Sequence, residues 1–138
     1  MKTVNPIVRQ TKISKAFPSG LHLEVDDCAS IRDVIRVADA KIKERCGKFP
    51  VREFTSLFQM VYHLHEERFY RQVAVQAHAR QNQFLNIREN PRMSLPDEAT
   101  IILIPEGGCS SDWEEPSNED GKEAKAIATF SCTQRLFL

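Results

Sequence analysis

The sequence predicts one α+β domain followed by an acidic, turn-rich linker and a flexible tail, and three observations carry that prediction. Residues 30–46 have the apolar spacing of an amphipathic helix. On either side lie short alternating or continuous apolar runs that read as strands, ending in Ile101-Ile102-Leu103-Ile104. Beyond Gly107-Gly108 the charge balance reverses and turn formers dominate.

The first strands are expected over Pro6–Ser14 and Leu21–Asp26, joined as a hairpin through Ala16-Phe17-Pro18-Ser19-Gly20. Leu21, Leu23 and Val25 alternate with His22 and Glu24, which puts His22 on the solvent face. The helix follows. Ser30 with Asp33 resembles a capping box, Ile31, Val34, Ile35, Ala38 and Ile42 share a face, and Gly47 is placed to end it. Arg32, Arg36, Lys41, Lys43 and Arg45 read as its solvated side, with cations favoured near the C-terminus.

After Phe49-Pro50 the residues Val51, Phe54, Leu57, Phe58 and Val61 again have helical spacing, which predicts an inserted helical segment within 50–68. Its end holds the pair His63 and His65. Two residues apart on a helix they diverge, and on a strand they still need a third ligand, so no metal site is expected. Strands are then expected at Tyr70–Ala77, Phe84–Ile87 and Thr100–Ile104. The last, being continuously apolar, reads as a central strand covered on both faces.

Charge and composition narrow the function. The chain has 138 residues and 19 Lys+Arg against 19 Asp+Glu, so bulk attraction to nucleic acid or anionic membrane is not its expected business. The balance is uneven along the chain: residues 1–108 carry 16 basic and 13 acidic side chains, and residues 109–138 carry three and six. This divides the chain into a domain at 1–108, an acidic linker at 109–121 and a tail at 122–138, with Ile127, Phe130, Leu136, Phe137 and Leu138 available for docking. Cys28, Cys46, Cys109 and Cys132 form no C-x-x-C pair, and no signal peptide or apolar span is evident, so a cytoplasmic protein with reduced thiols is expected. Arg68, Arg71, Arg80, Arg88 and Arg92 interleave with Phe69, Tyr70 and Phe84, a pattern that can bind single strands but more often marks core aromatics and surface arginines. Catalysis, a cofactor and a metal are not expected, for no nucleophile–base spacing, phosphate loop or ligand cluster is found.

A hairpin, a helix across a mixed sheet and a last strand inserted beside the first make a β-grasp arrangement. The stretch from Leu95-Pro96-Asp97-Glu98 through Ile101-Ile102-Leu103-Ile104 to Pro105-Glu106-Gly107-Gly108 resembles the end of the ubiquitin-like sulfur carriers. That resemblance implies a ubiquitin-like β-grasp domain whose Gly-Gly carboxylate is activated by an adenylating enzyme after a peptidase cuts between Gly108 and Cys109. It departs from the pattern in having only Glu106 between proline and glycines, a following tail, and the insertion at 50–68. The chain also resembles the tail assembly proteins of lambda-like phages, through Lys48-Phe49-Pro50, Phe69-Tyr70-Arg71-Gln72-Val73 and the Leu-Pro-Asp turn. This second resemblance implies a non-enzymatic binding module. Under this second reading, protein partners would meet an edge strand, the sheet face around Ile102, Ile104 and Pro105, or the tail at Phe137.

Overall fold

The computed structural model describes residues 1–105. The linker and tail expected at 109–121 and 122–138, with Gly107, Gly108, Cys109 and Phe137, lie outside the described residues.

Strand β1 spans Lys2–Val8 and is followed by a short helix α1 at Thr11–Ala16, strand β2 at Leu23–Val25 and the long helix α2 at Ile31–Cys46. A smaller unit comes next: helix α3 at Leu57–Val61, then β3 at Tyr62–His63 and β4 at Arg68–Phe69. Strand β5 at Ala74–His78, a 3-10 turn at Arg80–Asn82 and β6 at Ala99–Ile104 complete the described part. The main sheet is ordered β2-β1-β6-β5, and β3 and β4 form a separate two-stranded sheet. β1 runs antiparallel to β2 and parallel to β6, and β5 runs antiparallel to β6. The class is therefore α+β with a mixed sheet, and β6 is central as its apolar run predicts.

Helix α2 forms as its sequence dictates. Asp33 accepts a hydrogen bond from the Ser30 N–H at 3.1 Å, closing the first turn, and Gly47 takes the left-handed conformation that stops the last one. Its predicted apolar face, Ile31, Val34, Ile35, Ala38 and Ile42, is buried. The basic side is less idle than a solvated face. Lys41 Nζ donates to the Leu21 carbonyl at 2.7 Å, and Arg45 donates to the Ala16 carbonyl at 2.9 Å while its guanidinium lies 4.8 Å from the Phe17 ring centre. Both thus tie the β1–β2 connection to α2.

That connection corrects the expected strand over Pro6–Ser14. β1 starts and ends earlier, and residues 11–16 are helical because the Gln10 side chain accepts from the N–H groups of Lys12 (2.8 Å) and Ile13 (3.2 Å). Glutamine is not among the usual N-caps, so the sequence carries no strong signal of it. Pro6 is tolerated inside β1 because its carbonyl, and hence its nitrogen, faces Leu21 beyond the stretch that pairs with β2.

The helix expected from Pro50 is shorter than its spacing suggests. Residues 51–54 make a turn, with Phe54 N–H donating to Val51 at 3.1 Å. The helix begins only at Leu57, whose N–H is taken by Asp39 of α2 at 2.8 Å, while the buried Ser56 hydroxyl accepts from Gln59 N–H at 3.2 Å. The strand expected at Tyr70–Ala77 is divided: Phe69 closes β4, Tyr70–Val73 turns, and β5 begins at Ala74. At Phe84–Ile87 there is only a bridge between Phe84 and His78.

One core joins the inner sheet face (Val4, Val8, Ile101, Leu103) to α2 and to Phe58, Tyr62, Phe69 and Tyr70 of the inserted unit. Lys2 is the unexpected member of the inner face. Only 5% exposed, its ammonium donates to the carbonyls of Asp27 (2.6 Å), Ala29 (3.2 Å) and Leu95 and meets Ser94 Oγ at 3.2 Å.

Candidate functional site

β6 is where the residues singled out in the sequence come together. Ala99, Ile101 and Leu103 point into the core, and Thr100, Ile102 and Ile104 point to the other face, all three half-buried. Among the described residues, the cover expected on both faces is therefore present on one. In register, Ile7 lies beside Ile102 on one side and Gln76 on the other; Ala74 lies beside Ile104. None of Ile7, Ile102 and Ile104 belongs to the core or packs against it. They form an apolar row on the outer face. At the far end of that face His78 meets Phe84, ring centres 6.3 Å apart, with Phe84 65% exposed and the His78 Nδ1 buried without a hydrogen-bond partner.

Of the residues expected to meet a partner, Ile102 and Ile104 are placed on this face. Pro105 is buried where the chain leaves β6. Gly107, Gly108 and Cys109, the expected processing point, and Phe137 are outside the described residues, and the structure places none of them.

The histidine pair does not make a ligand set. His63 is on β3 and His65 on the turn after it; their ring centres are 6.4 Å apart, and His63 Nδ1 accepts from the Glu66 N–H at 3.2 Å. Among the described residues no group of three His, Cys, Asp or Glu side chains is placed to hold a metal ion. His22 is exposed as expected, but the strand expected over Leu21–Asp26 is confined to Leu23–Val25, and His22 precedes it with φ of 52°.

Four of the arginines interleaved with aromatics are engaged within the fold. Arg68 pairs with Glu66 at 2.7 Å, Arg80 with Glu98 at 2.8 Å and Arg92 with Glu67 at 2.7 Å. Arg88 donates to the carbonyls of Val73 (2.7 Å) and Tyr70 (2.9 Å), and Phe69 and Tyr70 are core residues.

A polar cleft that sequence reasoning missed lies at the start of α2, lined by Ser30, Arg32, Asp33, Tyr62, Glu67, Pro91 and Arg92. Three distant segments build it, and no local pattern announces such a site. Glu67, held at positive φ between β3 and β4, pairs with Arg92 and lies 3.8 Å from Arg32. Burial, followed by the Glu67 carboxylate, pushes the Tyr62 phenol above its ordinary 10.0, with Arg32 and Arg92 acting the other way. The folded state thus holds the Tyr62 proton more tightly than the unfolded chain. The contribution is complete below pH 10 and is lost as pH rises from there through the folded value. In alkaline unfolding titrations Tyr62→Phe is expected to flatten the loss of stability above pH 10; an unchanged slope would assign that loss to other groups.

Among the described residues no helix is long and apolar enough to cross a membrane. Compared with known proteins, the chain matches no protein-family model, and no curated protein or solved structure matches it significantly.

Proposed function

We propose that the chain is a ubiquitin-like β-grasp protein that works as a modifier or sulfur-carrier-like substrate, its reactive group being the Gly108 carboxylate exposed by removal of the tail. The observation that supports this reading is the position of β6. It pairs parallel with β1 in the middle of the sheet, and the chain leaves it at Pro105, three residues before Gly108. A central strand anchors the base of a terminus while the two glycines, having no Cβ, suit a narrow enzyme channel.

The chemistry then belongs to the partner enzymes. A peptidase hydrolyses the bond between Gly108 and Cys109. An adenylating enzyme joins the freed carboxylate to the AMP moiety of ATP with release of pyrophosphate, and a thiol or sulfur donor displaces AMP to give a thioester or thiocarboxylate. No cofactor of the chain itself is involved, and ATP-dependent activation suits a cytoplasmic protein.

A second reading, an assembly or adaptor module such as a phage tail protein, is favoured by the outer row of Ile7, Ile102 and Ile104. Intact-mass measurement of untagged protein from its native host decides between them. The carrier reading expects a species ending at Gly108; a single species ending at Leu138 overturns it and leaves the module.

A further inference from the structure

The outer face of β6 is built for a cover that the described residues do not supply. Four consecutive apolar residues, 101–104, are the pattern of a strand buried on both sides, yet Ile102 and Ile104 stand half-buried beside Ile7, outside the core. The same end of the sheet is basic. Arg9 follows β1, its N–H donating to the Leu103 carbonyl at 2.8 Å, and so stands level with Ile104; Lys12 and Lys15 follow on α1. All three are exposed, and none pairs with a carboxylate among the described residues.

The chain leaves β6 at this same end. The next segment, 109–121, holds Asp112, Glu114, Glu115, Glu119 and Asp120 and no lysine or arginine. Asp112 lies seven residue steps beyond Pro105, a reach of up to about 24 Å, so the acidic stretch can lie on Arg9, Lys12 and Lys15. Beyond it the sequence turns apolar again at Ile127 and Phe130 and at Leu136-Phe137-Leu138. A face of about four residues along β6 measures only ~14 Å, well within reach of the returning chain.

We propose that residues 122–138 fold back in cis onto the outer face of their own sheet, with Ile127, Phe130 and Phe137 covering Ile7, Ile102 and Ile104, and that the acidic segment guides them there along Arg9, Lys12 and Lys15. Electrostatic attraction sets the path, and removal of apolar surface from water holds the contact. The occupant is the chain's own tail because the charge of the intervening segment complements that of the exposed bases at its point of departure. This inference stands apart from processing at Gly108, since it concerns the chain with its tail attached.

Paramagnetic relaxation in the full chain tests it. A nitroxide is placed on Cys132, with Cys28, Cys46 and Cys109 replaced by alanine, and the isoleucine methyl groups are observed by NMR. The expected result is loss of most of the Ile7, Ile102 and Ile104 methyl signal, unchanged on dilution, with the core methyls of Ile31 and Ile42 losing much less. Full intensity at all three outer methyls overturns the proposal. Broadening seen only when nitroxide-carrying chains are mixed with separate isotope-labelled ones also overturns it, in favour of a second copy on the face. A second measurement needs no cysteine replacement: in the otherwise natural chain, Phe130→Ser with Phe137→Ser is expected to shift the Ile102 and Ile104 methyl resonances, and coincident spectra count against the docked tail. Because intact mass reports processing and relaxation reports docking, failure of one is distinguishable from failure of the other.

Discussion

Lys2→Met is expected to lower the midpoint of thermal unfolding by about 15 °C, the largest effect foreseen for a conservative-volume change in the described domain. The ammonium of Lys2 ties the segment before α2, through the carbonyls of Asp27 and Ala29, to the segment before β6, through Ser94 and Leu95. Methionine keeps the aliphatic stem but donates nothing, and of the acceptors it would leave, the Ala29 and Leu95 carbonyls are buried with it. Hydrogen bonds from a charged donor contribute about 1.5–3 kcal/mol each, and relief of the lysine's own desolvation offsets part of their loss. A net cost of about 3 kcal/mol remains, and for a domain of this size each kcal/mol moves the midpoint by roughly 4–8 °C. Differential scanning calorimetry checks it. An unchanged midpoint would mean that the ammonium is hydrated in solution and the cage is not formed.

Gly20→Ala comes next, with an expected loss of about 3 kcal/mol. Gly20 has φ of 104°, and a Cβ built there would stand 2.1 Å from Asn5 Oδ1. Asn5 cannot simply withdraw, because its Oδ1 accepts from His22 N–H at 3.1 Å and its Nδ2 donates to Ser19 O at 3.2 Å. The substitution combines about 1–2 kcal/mol of backbone strain with the loss of two hydrogen bonds of roughly 1 kcal/mol each. Urea unfolding of Gly20→Ala, Asn5→Ala and the double variant forms a cycle. If the contact is the cause, the double variant is less destabilised than the two single losses added together; strict additivity would place the whole cost in the backbone.

Both predictions concern residues that looked ordinary in the sequence. No pattern in the sequence singles out Lys2, and Gly20 reads as one member of a five-residue turn. Their partners are remote along the chain, Lys2 reaching 93 residues away to Leu95, and no periodicity records a pairing of that kind. Gln10 is a different case. The cap is local, but an uncommon cap residue gives no warning, so residues 11–14 of α1 read as strand in the sequence. The inserted segment shows the converse failure: Val51 and Phe54 have helical spacing with Leu57 and Val61, yet Asp39 and Ser56 start the helix at Leu57, and the two earlier apolar residues reach the core from a turn.

What was legible followed from short-range physics. Ser30 and Asp33 are three residues apart and Gly47 stops the same helix, so α2 and its buried face could be drawn from the sequence to within a residue. The run at Ile101–Ile104 announced a central strand because burial selects apolar side chains at consecutive positions. The sequence by itself thus determined the α+β class, the long helix and the central last strand, since each rests on propensity and pattern within a few residues. Only the tertiary structure decided the cage around Lys2, the cleft at Tyr62 and which half of the apolar run faces outward. Those depend on which distant segments share the small volume of the core, and that follows from the packing of the whole domain and not from any one stretch of chain.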